Sequence, residues 1–311
     1  DSSELKPNDW MFMQRAFPTG RLDPQAQRQA VMQKRAMNTS GGNWNTVGPI
    51  NIGGRISDIE MVNDQEYYVA AASGGIFKTT NAGADGTPVF DGQNSLSIGD
   101  IAIDPNNSNH IWVGTGEVNA GGGSLAYDGD GVYFSDNGGQ SWTNKGLSQV
   151  GNIGKVLIDP NNAQNIFVGA MGPLFRNDAN RGVYRSQDGG DTWTQSLFVS
   201  DSTGVVDMAI HPSNGQIIYA AAWQRVRRPQ YRSYGGITSG LYRSIDGGDS
   251  WTELTTGLPT SANQKGRISI AIAPSNPEVL YARYADATGN IQGVYRTNDG
   301  GDSWTAMNSS A

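Results

Sequence analysis

Between Trp223 and Ser239 the chain reads WQRVRRPQYRSYGGITS, which sets Arg225, Arg227, Arg228 and Arg232 among Trp223, Tyr231 and Tyr234 with no acid between them. Guanidinium forks suit carboxylate, sulfate or phosphate. The segment is a candidate anion site, and a contact with acidic loops of a neighbouring unit accounts for the same residues. Asp58, Asp100, Glu117 and Asp207 are the candidate carboxylates. Glycoside hydrolysis needs two such groups about 5 to 9.5 Å apart, and spacing alone does not pair them. Arg55 and Arg267 each stand in a Gly-Arg-Ile-Ser segment. Asp128-Gly129-Asp130, with Glu117 and Asn119 nearby, offers oxygen ligands. Two carboxylates are few for a Ca²⁺ site, and solvated turn residues explain them equally, so no metal is assigned.

Other chemistries are excluded by composition. Zero cysteines remove disulfides, thiol catalysis and thiolate metal sites. The two histidines, His110 and His211, fall at repeat positions and make no multi-histidine centre. There is no GxSxG motif, phosphate loop or zinc motif, and no cofactor is expected. A net charge of −7 argues against general nucleic-acid binding. No run approaches the ~18 to 20 apolar residues that span a bilayer. A chain that opens at Asp1 reads as one whose leader has been removed. Glycine, at 42 residues, is about twice its usual ~7% share, without a period of three.

The elements that position these groups are repeats. An octet Ser-x-Asp-x-Gly-x-Ser/Thr-Trp occurs as SQDGGDTW from Ser186 and SIDGGDSW from Ser244. TNDGGDSW from Thr297 has threonine first, SDNGGQSW from Ser135 has Asn137 for the aspartate, and a degenerate copy starts at Thr79. First positions 79, 135, 186, 244 and 297 lie 51 to 58 apart. Each octet follows a strand with an aromatic at a fixed place, as in Gly182-Val-Tyr-Arg and Gly240-Leu-Tyr-Arg. β-Branched runs such as SIGDIAIDP and TGVVDMAIHP end at proline. With the small-residue runs that follow, such as HIWVGTG and QIIYAAA, each unit holds four short strands. That is the pattern of an all-β propeller blade. The paired glycines take φ > 0, and the Asp or Asn side chain accepts backbone N–H bonds in the turn. Asn137, Trp142, Asp188, Trp193, Asp246, Trp251, Asp299 and Trp304 therefore read as structural.

These octets resemble the Asp-box (BNR) repeat of sialidases, xyloglucanases and the sortilin propeller. The run from Trp44 to Trp304 is similar to secreted bacterial BNR-repeat proteins of sortilin-like or glycosyl-hydrolase-like type. The resemblance implies a β-propeller and says little about activity, because one fold hosts many functions. Sialidases clamp a carboxylate with three arginines, the first in Arg-Ile-Pro; here the segment is Arg55-Ile56-Ser57. Xyloglucanases of this type place a catalytic aspartate just before the Gly-Gly that opens the third strand of the first blade. This chain has Ser73-Gly74-Gly75 there, which counts against that activity.

Residues 1–42 read as a helical arm, with Trp10, Met13 and Phe17 on one short helix. Asp23-Pro24 caps a second helix through QAQRQAVMQKRAM to Asn38. The arm packs on the propeller or contacts a partner. Five blades follow at about 43–95, 96–149, 150–201, 202–261 and 262–311. The Trp44 segment reads as an outer strand without inner partners, so further blades, downstream or from another chain, are expected. Ile56, Ile59, Ile270 and Ile272 are expected on the two open faces. The favoured function is a secreted, non-catalytic module binding a glycan or partner protein. The alternative is a sialidase-like or xyloglucanase-like glycoside hydrolase. Candidate ligand residues are Arg55, Asp100, Glu117, Asp207, Trp223, Arg225, Arg227, Arg228, Tyr231 and Arg267.

Overall fold

A computed structural model describes residues 13–20, 23, 26–37, 54–119, 127–227 and 233–307. Trp10, Pro24, Trp44, Arg228, Tyr231 and Arg232 lie outside the described residues. Five four-stranded antiparallel sheets follow one another along the chain. The first holds β1 (Ile56–Met61), β2 (Tyr67–Ala71), β3 (Gly75–Thr79) and β4 (Thr87–Pro88). In the second are β5 (Ile98–Asp104), β6 (Asn107–Thr115), β7 (Val132–Ser135) and β8 (Thr143–Asn144). The third has β9 (Ile153–Asp159), β10 (Asn162–Ala170), β11 (Gly182–Ser186) and β12 (Thr194–Leu197). Next come β13 (Thr203–His211), β14 (Asn214–Gln224), β15 (Gly240–Ser244) and β16 (Thr252–Leu254). The fifth sheet is β17 (Ile268–Ile272), β18 (Leu280–Ala285), β19 (Ile291–Thr297) and β20 (Thr305–Met307). Each sheet runs in simple sequence order, which is the up-and-down meander of a propeller blade.

Innermost strands meet edge to face around a channel: β1 packs on β5, β5 on β9, β9 on β13 and β13 on β17. Glycine permits this closeness. A Cβ on Gly99 or Gly154 would run into the carbonyl of Ile153 or Val206 on the next blade. Apolar cores fill the gaps between blades. Tyr68, Ala70 and Ile76 of the first blade bury against Ile101, Ile111 and Tyr133 of the second. Tyr219, Ala221 and Leu241 of the fourth bury against Ile268, Ile270 and Leu280 of the fifth. Ile270 and Ile272 therefore face inward toward the fourth blade, correcting their expected place on an open face. Strand alternation puts Ser269 and Ala271 on the other side. Ile56 and Ile59 are open, at 46% and 53% exposed, and β17 has no matching seat against β1. The array is a partial propeller.

The octet turns share one geometry. Asp188 accepts from Ser186 Oγ at 2.7 Å, Thr192 N at 2.9 Å and Thr192 Oγ1 at 2.6 Å, while Gly190 N donates to Ser186 Oγ at 2.8 Å. Asp246 and Asp299 repeat the pattern, and Asn137 and Asn81 accept the same backbone N–H while donating Nδ2 to the side chain four residues on. The tryptophans reach back one blade: Trp142 Nε1 donates to Val89 O, Trp193 to Lys145 O and Trp251 to Ser196 Oγ. Trp304 differs, since its indole bonds Gly301 O inside its own turn. Helix α1 (Ala26–Ala36) lies over the first blades, where Val31 and Lys34 line a cavity with Ser73, Asp91 and Tyr127.

Candidate functional site

Antiparallel order puts the octet turns on one face of the array, and the loops after second and fourth strands on the other. Arg55, Glu117, Asn119, Trp223, Arg225 and Arg267 all belong to that second, loop face. There, Val118, Met171, Leu174, Val206 and Trp223 form a small apolar floor. Beside it opens a cleft of about 460 Å³ at the loop ends of the fourth and fifth blades, lined by Asn119, Trp223, Arg225, Tyr234, Arg267, Ser269 and Arg283 among others.

The arginines of 223–239 do not form one patch. Arg225 is buried, its guanidinium 4.5 Å from the Trp223 ring centre and 4.8 Å from that of Tyr234. Both aromatic faces are thus covered by a cation, and Trp223 Nε1 donates to Tyr234 O at 2.8 Å. Burial, then Arg227, bring the Arg225 charge down to a pKa of about 10. Arg227 turns away, is itself buried and sits over Phe175, so it does not join the expected anion site. Arg267 approaches from the fifth blade instead. Its pKa is lowered by burial, against the pull of Asp207 and Glu117. Among the described residues, Arg267 Nε and Asn119 Oδ1 have no hydrogen-bond partner.

The candidate carboxylates are already engaged. Glu117, 2% exposed, accepts both arms of Arg55 at 2.5 and 2.7 Å and also the Asn119 N–H. The Glu117 bond holds the Arg55 charge, raising its pKa. Asp58, Asp100 and Asp207 occupy one repeated place on the innermost strand, each beside a bulge. Each accepts a backbone N–H from the following blade: Ile101 to Asp58 at 3.1 Å, Val156 to Asp100 at 2.8 Å and Ile270 to Asp207 at 3.0 Å. They tie blade to blade. Burial raises the Asp207 pKa, with the Ile270 N–H opposing.

Three groups escaped sequence reasoning. Lys155 takes the repeated inner position in the third blade and pairs with Asp100 at 2.8 Å. Glu60, beside Asp58 and Lys155, is pushed up to about 7, chiefly by burial and then by Asp58. Arg181 is wholly buried and donates to the carbonyls of Met171, Pro173, Arg176 and Arg225, which binds the 171–181 loop to the fourth blade. The alignment of blades identifies the place of Lys155; only packing reveals the other two. Asp128 and Asp130 accept from Asn152 and from Asn94 and Tyr133 respectively. His110 pairs with Asp104 and His211 accepts from Ser213 N, both on the turn face.

A family model described as sortilin, neurotensin receptor 3 (Sortilin-Vps10) matches residues 181–311. The chain is 26% identical over 178 residues to a xyloglucanase of Paenibacillus sp, covering 50% of this chain and 16% of that protein. It is 25% identical over 239 residues to an oligoxyloglucan-reducing end-specific xyloglucanase of Emericella nidulans, covering 66% and 26%. Among solved structures it resembles an ancestral GH74 enzyme, with a TM-score of 0.60 and 23% identity over 86% of this chain and 33% of that one. The Niastella koreensis GH74 enzyme gives 0.57 and 21%, over 81% and 38%. The chain spans at most about a third of the length of these curated relatives. No helix among the described residues is long and apolar enough to cross a membrane.

Proposed function

We propose that this chain, an Asp-box β-propeller similar to sortilin-like and glycoside-hydrolase propellers, is the polysaccharide-engaging part of an extracellular carbohydrate-active protein. The names of the relatives favour a glycoside hydrolase over a purely non-catalytic module. What carries the reading here is the loop-face cleft, whose lining brings the Trp223 and Tyr234 rings together with the Asn119 amide and the Arg267 guanidinium. An amide acceptor and a guanidinium donor suit sugar hydroxyls and ring oxygens.

Hydrolysis asks for more than the cleft. The resemblance to xyloglucanases points to Ser73 where an aspartate is needed, and Asp58, Asp100 and Asp207 are bonded between blades. These blades supply binding, and a complete acid–base pair draws on residues beyond those described. Xyloglucan oligosaccharides and a panel of other cell-wall polysaccharides, titrated calorimetrically alongside a reducing-end assay, test this. Binding is expected, weakened about tenfold (~1.4 kcal/mol) in an N119A/R267A variant, without release of reducing ends. Bond cleavage by this chain alone would return an acid–base pair to these blades. No binding across the panel would remove the polysaccharide reading.

A further inference from the structure

The outer side of the fifth blade carries the same residue pair that joins the fourth blade to the fifth. In the third blade, Arg185 on β11 donates to Gly247 O in the turn of the fourth blade and pairs with Asp249 at 2.7 Å. In the fourth, Arg243 on β15 donates to Gly300 O of the fifth blade's turn at 2.7 Å and pairs with Asp302 at 2.8 Å. The neighbouring second strand adds a phenol: Tyr219 OH donates to Gly300 O at 2.7 Å, as Tyr68 OH does to Gly138 O at 3.0 Å. At the fourth–fifth junction an arginine and a tyrosine thus grip one glycine carbonyl, and the arginine also takes the aspartate that follows the second glycine.

The fifth blade repeats the grip, and among the described residues no turn fills it. Tyr281 and Arg296 are cross-strand partners on β18 and β19, as Tyr219 and Arg243 are on β14 and β15. The Arg296 guanidinium lies 5.8 Å from the Tyr281 ring centre, and its buried Nε has no hydrogen-bond partner among the described residues. One position departs from the pattern. Ser269 stands where Asp58, Asp100 and Asp207 tie the earlier blades, and its cross-strand partner is Arg283, where the Asp207 partner is Ala221. Arg283 is exposed on that face.

We infer that this face docks a further Asp-box blade whose turn reads Gly-Gly-Asp and whose innermost strand brings a carboxylate to Arg283. The glycine carbonyl would meet Tyr281 and Arg296, and the turn aspartate would pair with Arg296. At the innermost strands the junction reverses the Asp100–Lys155 polarity, with the cation on the earlier blade and the acid on the later one. This extends the reading of the chain as part of a larger propeller; Arg283 also lines the cleft, whereas Tyr281 and Arg296 do not. A second copy of the first blade is a poor occupant. Its turn carries Ala84 where Asp249 and Asp302 stand, and its open face offers Ile56, Ile59 and Met61 to the arginines.

A photo-crosslinking amino acid at position 281, in the full-length natural polypeptide, tests the inference. Mass spectrometry is expected to find the crosslink on a Gly-Gly-Asp turn outside residues 1–311, with its yield reduced at least fivefold by R283E and restored by charge reversal of the facing acid. A crosslink to residues 79–85 of another copy would overturn it, as would absence of any crosslink. Yield unchanged by R283E would overturn the reversed polarity. Because Arg283 also lines the cleft, an R296A variant, outside that lining, keeps the two readings apart: it should lower the crosslink yield and leave polysaccharide binding unchanged.

Discussion

Lys155 of the third blade reaches back to Asp100 of the second, its Nζ 2.8 Å from Oδ1, while the Val156 N–H takes the other carboxylate oxygen. Asp58 and Asp207 hold their neighbours by backbone bonds alone; here a charge has been added at the inner seam. Burial works against the Lys155 charge, but Asp100 and Asp58 outweigh it and raise its pKa.

Removing one partner should therefore be worse than removing both. K155M, which leaves the buried Asp100 carboxylate unpaired, is expected to lose about 3–5 kcal/mol, and K155M/D100L distinctly less. Urea unfolding of the three proteins measures it. Equal losses in the single and double variants would show that the charge pair is not what holds this seam.

Arg181 should be more demanding than any arginine of the cleft. It is buried and donates to several carbonyls of two blades. Burial lowers its pKa to about 10. R181M abandons those carbonyls, each worth about 1–3 kcal/mol when left unsatisfied. A loss of at least 3 kcal/mol is expected, against less than 1 for R267A, whose side chain makes no such set of bonds. Denaturant midpoints with unchanged slopes decide it, and a mild R181M would place the loop's stability elsewhere.

Stability should also move with pH in two opposite senses. Hydrogen bonds from Thr192 to Asp188, and from Ser250 to Asp246, bring both carboxyls from 3.8 to about 2. Their contribution is complete above the unfolded pKa and is lost as pH falls toward 2. Glu60 is raised from 4.5 to about 7. Its contribution is present below 4.5 and is lost as pH rises through 7. For these groups the melting temperature peaks near about pH 4 to 5. E60Q should flatten the alkaline side between about pH 5 and 8 while leaving the acid limb in place. Scanning fluorimetry across pH reads both limbs, and an unchanged alkaline slope in E60Q would assign it to another group.

The blades were legible because their defining octet is local: Ser186, Asp188, Gly190 and Thr192 close a turn with bonds of four residues or fewer. The site was much less so. Asp58, Asp100 and Asp207 look like free channel carboxylates in a list of residues, and only the stacking of blades supplies the N–H groups they meet. Arg225 and Arg227 are two apart in sequence, yet one stacks between Trp223 and Tyr234 while the other lies on Phe175. Arg267, 42 positions beyond Arg225, arrives at the cleft from another sheet. Ile270 was misplaced because apolar content does not say which side of a strand faces its predecessor.

The polar ties between blades have a direction in time. Asp58, Asp207, Arg185 and Arg243 each wait for a group that lies later in the chain. During synthesis, a newly emerged blade holds these side chains unsatisfied until the next one leaves the ribosome, at about 5–20 residues per second. Since successive octets start 51 to 58 residues apart, each blade stays incomplete for a few seconds. The nascent array thus carries, besides the open first-blade face of Ile56 and Ile59, one unfinished seam that moves with its growing end.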